Sequence, residues 1–274
     1  MGFNVQNTTN QFSGRKVKSA YNTAFYRDLN KLTIDSANII LPMVIGVLPP
    51  INSAVDFGCG VGSWLSVLKQ YGVKKITGFD GPWAAKRTLQ IPEECFVEIE
   101  LDKEISINFK YDLAISLEVA EHLPEKSAVS FVDALTKSSD FVLFSAAIPF
   151  QGGTEHVNEQ WLDYWNHLFN EKGYIAVDFL RKNIWYEPTV LSTYKQNIIL
   201  FVKKDVMNNV NVSSSEFCIN LPPPAFVHPD FYLEKTGLIT YRISRLKIVL
   251  FLKRLLKKIV GEIFFFQLKK KLAS

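Results

Sequence analysis

The sequence is poor in cysteine, in long apolar runs and in repeats, and each shortage closes off a class of protein. Three cysteines, Cys59, Cys95 and Cys218, are odd in number and widely spaced. They argue against a disulfide framework and for a reducing cytoplasm. No charged segment followed by an apolar stretch and a small-residue cleavage site opens the chain, so a secretory leader is not expected. No charge-free apolar run reaches the roughly 18 residues that suggest a membrane-spanning helix. Low-complexity tracts and internal repeats are also missing.

The chain has 274 residues, 47% hydrophobic and 13% aromatic, enough for one sizeable core and an appendage. The net charge of +4 is unevenly spread. Residues 240–274 hold ten Lys or Arg and one acid, Glu262, while the other 21 basic and 26 acidic residues leave the rest at −5. Four segments follow: a polar, flexible N-terminus at 1–14; a globular unit at 15–204; a proline-rich connector at 205–239 containing "LPPPAFVHPDFY"; and a basic amphipathic helix at 240–274.

Lys16 to Leu48 reads as one or two helices ended by Pro49 and Pro50. Short apolar runs then alternate with helical patterns. Strands are expected at "SAVDF", "KITGFD", "CFVEIELD", "YDLAISL" and "DFVLFSAA", with helices from about Ser63 to Tyr71 and from Pro124 to about Lys137. This alternation predicts an α/β fold with a doubly wound, mostly parallel sheet. Two late strands, "YIAVDFL" and "QNIILFVKK", have no helical pattern of useful length between them and predict an antiparallel pair at one edge. After "FSAAIPFQGGTEHVNEQW", Asn158 is positioned to cap a helix whose stripe is Trp161, Trp165, Leu168 and Phe169.

"VDFGCGVGSWL" joins the first strand to the first following helix, with Gly58, Gly60 and Gly62 in the turn. Such a loop lets a ligand touch backbone directly. Its spacing is not the Gly-x-Gly-x-x-Gly of dinucleotide oxidoreductases, and Asp56 precedes it. Asp80, followed by Gly81, closes the second strand where an acid would hold ribose hydroxyls, and Asp102 closes the third. Trp64 and Trp83 read as packing residues and Cys59 as a small loop residue.

"VDFGCGVGSW", "GFD" and "YDLAISLEVAEHLP", in this order, resemble the nucleotide-binding half of class I S-adenosylmethionine-dependent methyltransferases. Together with "FSAAIPFQGGTEHVNEQW" and "YKQNIILF", the likeness narrows to bacterial methyltransferases associated with surface-polysaccharide biosynthesis, over residues 20–230. The resemblance implies a Rossmann-like seven-stranded sheet with one reversed strand, and S-adenosylmethionine as cofactor. Asp56 would lie near the amino acid end of the cofactor, and Gly58, Gly60 and Gly62 near its methionine and ribose parts. Asp80 and Gly81 would face the ribose, and Leu101 or Asp102 the adenine. Glu118 would stand on the cofactor side.

"EVAEHLP" puts Glu118, Glu121 and His122 at i, i+3 and i+4, one face of a helical turn, and His156 comes from the end of the next strand. A sugar hydroxyl is a poor nucleophile until deprotonated. A histidine can take the proton directly, or a divalent metal on the substrate oxygen can lower its pKa. The pattern resembles the metal-binding set of small-RNA 2′-O-methyltransferases, and Glu-x-x-Glu-His also occurs in ubiquinone-biosynthesis O-methyltransferases. His156, Glu121 and His122 are therefore the candidate catalytic groups. Glu118, Glu121, His122 and His156 are the candidate ligands of Mg²⁺ or Zn²⁺. In many methyltransferases the same motif serves without metal, and that alternative stays open.

In the tail, Ile248, Leu252, Leu255, Ile259, Ile263 and Phe266 share one helical face, with Lys247, Arg254, Lys257 and Lys258 broadly opposite. This fits a helix lying in an anionic membrane surface, the alternative being a helix docked on the domain or a second subunit. Nucleic acid is not expected as a partner, because the rest of the chain is acidic and shows no basic stripe with stacking aromatics. The expected protein is a cytoplasmic methyltransferase, peripheral on the membrane, that methylates a sugar hydroxyl of a glycan or glycan precursor. A lipid-soluble or aromatic small-molecule acceptor and a non-catalytic cofactor-binding scaffold are the alternatives.

Overall fold

The computed structural model describes residues 23–82, 89–219 and 222–237, together with positions 248 and 252, with side chains from residue 30 onward. The segment 1–14, Trp83 and most of the basic tail lie outside these residues. Ile248 and Leu252 are helical and exposed. Among the described residues no helix is long and apolar enough to cross a membrane.

Helix α1 (Thr23–Val47) ends just before Pro49, as expected of a helix running into a proline pair. The strands are β1 (Ser53–Phe57), β2 (Lys75–Asp80), β3 (Phe96–Glu98), β4 (Leu113–Leu117), β5 (Phe141–Ser145), β6 (Tyr174–Val177) and β7 (Ile199–Lys203). Between them run α2 (Ser63–Gln70), α3 (Ala128–Ser138), α4 (Leu162–Glu171), α5 (Leu180–Ile184) and α6 (Ser192–Asn197). The seven strands form one sheet in the order β3-β2-β1-β4-β5-β7-β6. Pairings from β3 to β5 are parallel, and β7 runs antiparallel to both β5 and β6. The direction of crossover switches at β1 and β4, where such sheets open a crevice at the carboxyl ends of their strands.

Every residue of β1 and β4 is buried, because helices cover both faces. The alternation of side chains then splits the core. Ala54, Leu113, Ile115 and Leu117 join the layer of α1, α2 and α5, while Val55, Phe57 and Ala114 join that of α3 and α4. Trp165, Leu168 and Phe169 pin α4 to the second layer, with Phe169 stacked on Phe201 at 3.9 Å between ring centres. Burying side chains of this size contributes about 1.5–3 kcal/mol each. The loop between β5 and α4 is thereby anchored at both ends.

Three expectations are corrected. The link between β6 and β7 holds two short helices, α5 and α6, whose few residues carry too little periodicity to read. The third strand stops at Glu98, so Asp102 lies beyond it in a turn rather than at its end. Asn158 does not cap α4, whose N-cap is Trp161, 43% exposed. The amides of Val157 and Asn158 are drawn back to the Glu121 carbonyl at 2.9 and 3.0 Å, which delays the helix. The connector packs against the sheet: Phe217 bridges Val177 on the outer edge of β6, and residues 222–228 lead into a helix over 229–237.

Candidate active site

The glycine loop leaves β1 with Gly58, Gly60 and Gly62 all in left-handed backbone, φ 83°, 55° and 84°. A Cβ on Gly58 would sit 2.3 Å from Val119, and one on Gly62 would sit 2.7 Å from Ile91, whereas one on Gly60 would meet nothing within 4 Å among the described residues. Gly60 thus has no close neighbour on that side among the described residues. The Asp80 carboxylate fixes the loop, accepting from the amide of Gly60 at 2.6 Å and that of Gly81 at 2.7 Å. Asp56 is buried behind it, and its Oδ2 has no partner among the described residues. Burial first, and the Asp80 charge second, hold the Asp56 carboxyl well above the usual range. Leu101 is buried in the core layer of Val55 and Phe57, while Asp102 is exposed and uses its carbonyl to accept from Ser127 Oγ at 3.1 Å. Trp64 is core and packs edge-on against Tyr194, and the buried Cys59 thiol has its pKa pushed up by desolvation. It is no nucleophile.

Beyond β4 the four acid and histidine candidates divide. Glu118 is not on a helical turn with the others, because its φ of 55° ends the strand in a left-handed residue. Its Oε2 accepts from Gln151 Nε2 at 2.7 Å and its Oε1 from Asn197 Nδ2 at 3.1 Å. Gln151 Oε1 in turn accepts from Gln196 Nε2 and Asn197 Nδ2, both at 2.9 Å. Desolvation raises the Glu118 pKa against the lowering effect of these amides.

Glu121, His122 and His156 do converge, each offering a ligand atom, all within 4.8 Å of one another. The two imidazole rings meet edge to face at 4.8 Å. Glu121 is fully buried, and neither carboxyl oxygen has a partner within hydrogen-bonding geometry among the described residues. Burial, with the Glu118 charge adding to it, holds the Glu121 carboxyl well above the usual range, offset in part by the nearby amides of Glu121 and Ala147. A buried carboxyl without donors is either protonated or compensated by a cation. The exposed His122 lies below the usual histidine range, through partial desolvation first and the His156 charge second.

Glu159 is a site residue that the sequence reading missed. Its Oε1 lies 2.8 Å from His156 Nδ1 and accepts from the Gly152 amide at 2.6 Å, while Oε2 accepts from the Phe150 amide at 2.8 Å. Gln151, Gln196 and Asn197 were likewise missed. Glu118, Phe150 and Glu155, the non-glycine residues with positive φ among those described, all border the site. Left-handed backbone at such residues costs about 1–3 kcal/mol and persists only where surroundings enforce it.

Residues 27–181, more than half of the chain, match the family model described as a methyltransferase domain. A doubly wound sheet with a glycine loop at its switch point is an architecture that binds ligands at the carboxyl ends of its strands, and by the match over residues 27–181 the chain belongs to this methyltransferase-domain family. Over 137 residues it is 26% identical to the 2-methyl-6-phytyl-1,4-hydroquinone methyltransferase of Synechocystis sp., covering 45% of this chain and 43% of that protein. The chain thus spans less than half the length of this curated relative. Among solved structures, the magnesium protoporphyrin IX methyltransferase of Synechocystis PCC 6803 is 21% identical, with a TM-score of 0.47, over 67% of this chain and 88% of that one. An amino pentose methyltransferase from Micromonospora echinaspora is 12% identical, with a TM-score of 0.49, over 66% and 95%.

Proposed function

We propose that the protein is an S-adenosylmethionine-dependent O-methyltransferase acting on a sugar hydroxyl of a glycan or glycan precursor. The observation that carries this reading is the pairing of two arrangements at one end of the sheet: a glycine loop tied to Asp80, and the convergence of Glu121, His122 and His156 across from it. The open side of Gly60 and the unpartnered Asp56 oxygen suit a ligand bearing an ammonium group and a ribose. The cofactor supplies the methyl group. Asp56 would lie at its amino acid end, Gly58, Gly60 and Gly62 along its methionine and ribose parts, Asp80 and Gly81 at the ribose, and Leu101 or Asp102 beside the adenine. Glu118, fixed by Gln151 and Asn197, walls the reacting end.

His156 is the group that takes the proton from the acceptor hydroxyl in this reading: Glu159 engages its Nδ1, which leaves Nε2, lying beside Gly153, as the nitrogen without a side-chain partner among the described residues. The unpartnered Glu121 carboxyl, with two imidazoles beside it, is also a donor set that fits a divalent ion, Zn²⁺ or Mn²⁺ more readily than Mg²⁺ given the nitrogen ligands. Such an ion would lower the pKa of the acceptor hydroxyl.

The transferase unit comprises residues 15–204, the connector 205–239, and the basic tail at 240–274 holds the protein at an anionic cytoplasmic membrane face. A lipid-soluble aromatic acceptor is the second reading, favoured by the exposed aromatic side chains beside the site and by the acceptor for which the Synechocystis relative is named.

The test is His156→Ala assayed with labelled S-adenosylmethionine and a panel of sugar nucleotides, lipid-linked glycans and prenylated phenols. Turnover should fall about 10²–10⁴-fold while cofactor affinity holds. Chelation should mimic the substitution if an ion is used and do nothing if His156 acts alone. Full turnover of the alanine variant would remove His156 from the chemistry.

A further inference from the structure

We propose that the surface made by the loop at 150–161, which carries His156, and the adjoining helix at 229–237 is the one the protein sets on an anionic bilayer, so that the acceptor is presented as a membrane-borne amphiphile. This rests on the reading of the site as a methyl-transfer centre and adds the acceptor's physical class. Of the seven exposed aromatic side chains among the described residues, five lie on segments that follow β5 and β6 or cover α6: Phe150, Trp161, Tyr186, Phe226 and Tyr232. The other two, Tyr71 and Phe109, lie at the opposite, amino edge of the sheet, and the ring of Phe109 is covered by the Lys75 ammonium at 3.0 Å. Among the described residues no cation covers Phe150. It is 91% exposed in left-handed backbone that the Glu159 carboxylate holds in place. A strained residue held so as to keep a phenylalanine in water points to an apolar partner.

The helix at 229–237 belongs to the same face. Its Lys235 Nζ lies 3.5 Å from where a Cβ on Gly152 would stand, so helix and loop adjoin. Phe231 is buried and seats the helix, which leaves Tyr232 and Leu233 59% and 65% exposed. From this helix the chain passes directly into residues 240–274, with their ten basic residues and one acid. Aromatic side chains next to a strongly basic amphipathic segment match the interface of an anionic bilayer, which takes aromatic rings at headgroup level and attracts cations.

The experiment uses the full chain with Cys95→Ser and Cys218→Ser, the buried Cys59 retained, and a single environment-sensitive fluorophore on Phe150→Cys, Tyr232→Cys or Tyr71→Cys. Vesicles of phosphatidylglycerol and phosphatidylcholine should blue-shift the emission at 150 and 232, with quenching by lipids brominated along the acyl chain, and leave position 71 unchanged. Phe150→Asp combined with Leu233→Asp should weaken vesicle binding roughly tenfold. Vesicle binding with water-like emission at both 150 and 232 would overturn the proposal, as would absence of binding to anionic vesicles. So would the same blue shift arising from self-association without lipid. Calorimetry with S-adenosylhomocysteine on the same proteins tests the underlying reading separately.

Discussion

Glu159 and His156 form a pair in which one carboxylate orients an imidazole and holds the loop that carries it, with Oε1 2.8 Å from Nδ1 and both oxygens taken up by loop amides. A carboxylate on one ring nitrogen fixes the tautomer and leaves the other nitrogen unprotonated for a proton or a metal. Glu159→Ala should therefore lower turnover about 10–100-fold with cofactor affinity unchanged, and nitrogen NMR of His156 should show a mixed tautomer. A variant with wild-type turnover and a single tautomer would reduce Glu159 to a loop support.

Asp80 tests the other end of the site. Asp80→Ala removes the acceptor for the Gly60 and Gly81 amides together with the proposed ribose contact. Loss of charge-assisted hydrogen bonds should weaken S-adenosylhomocysteine binding by about 1.5–3 kcal/mol, read by calorimetry on a folded protein. Unchanged affinity would take Asp80 out of the cofactor site.

Glu121 sets function against stability. A carboxyl whose pKa is raised in the fold binds its proton more tightly there than when unfolded, so it costs stability increasingly as pH rises above the ordinary glutamate range. Glu121→Met removes two buried oxygens without partners and should raise unfolding free energy at neutral pH by about 1–3 kcal/mol, with little gain near pH 4. It should abolish turnover. Urea unfolding at several pH values measures both terms, and a pH-independent difference would show that the carboxyl is not the source.

Gly153 lies against the His156 ring, since a Cβ there would stand 2.2 Å from Nε2. Gly153→Ala should displace the ring and cut turnover about tenfold or more, while thermal stability shifts little because the loop can move. A structure of the variant with His156 in place and full activity would contradict the close approach.

The strands around the site were legible because they are buried on both faces and bounded by turn residues: "SAVDF" and "KITGFD" match β1 and β2 residue for residue. The glycine loop was legible for a similar reason, since a left-handed turn needs residues of a known kind. The polar frame behind them was not. Gln151 and Asn197 lie 33 and 79 residues from the Glu118 they bind, and no local period announces such contacts. Reading Glu118, Glu121 and His122 as one helical face failed at Glu118, whose left-handed backbone ends the strand and whose carboxylate is taken up by the Gln151 and Asn197 amides. Glu159 looked like one polar residue among several in "TEHVNEQW" because its partners are mainly backbone amides.

The reversed strand β7 bears on the order in which the protein is made. Parallel strands deliver their site residues at their carboxyl ends, but β7 presents its amino end there, so Gln196 and Asn197 arrive from the segment just before it. A chain emerging from the ribosome can pair β1 through β5 early, yet Glu118 gains Asn197 only after residue 197 has appeared and β7 has slid between β5 and β6. The His228 amide then closes over Gln196. The polar frame around Glu118 is therefore among the last parts of this sheet that the nascent chain completes, and a product truncated before β7 would carry the glycine loop without the amides that hold Glu118.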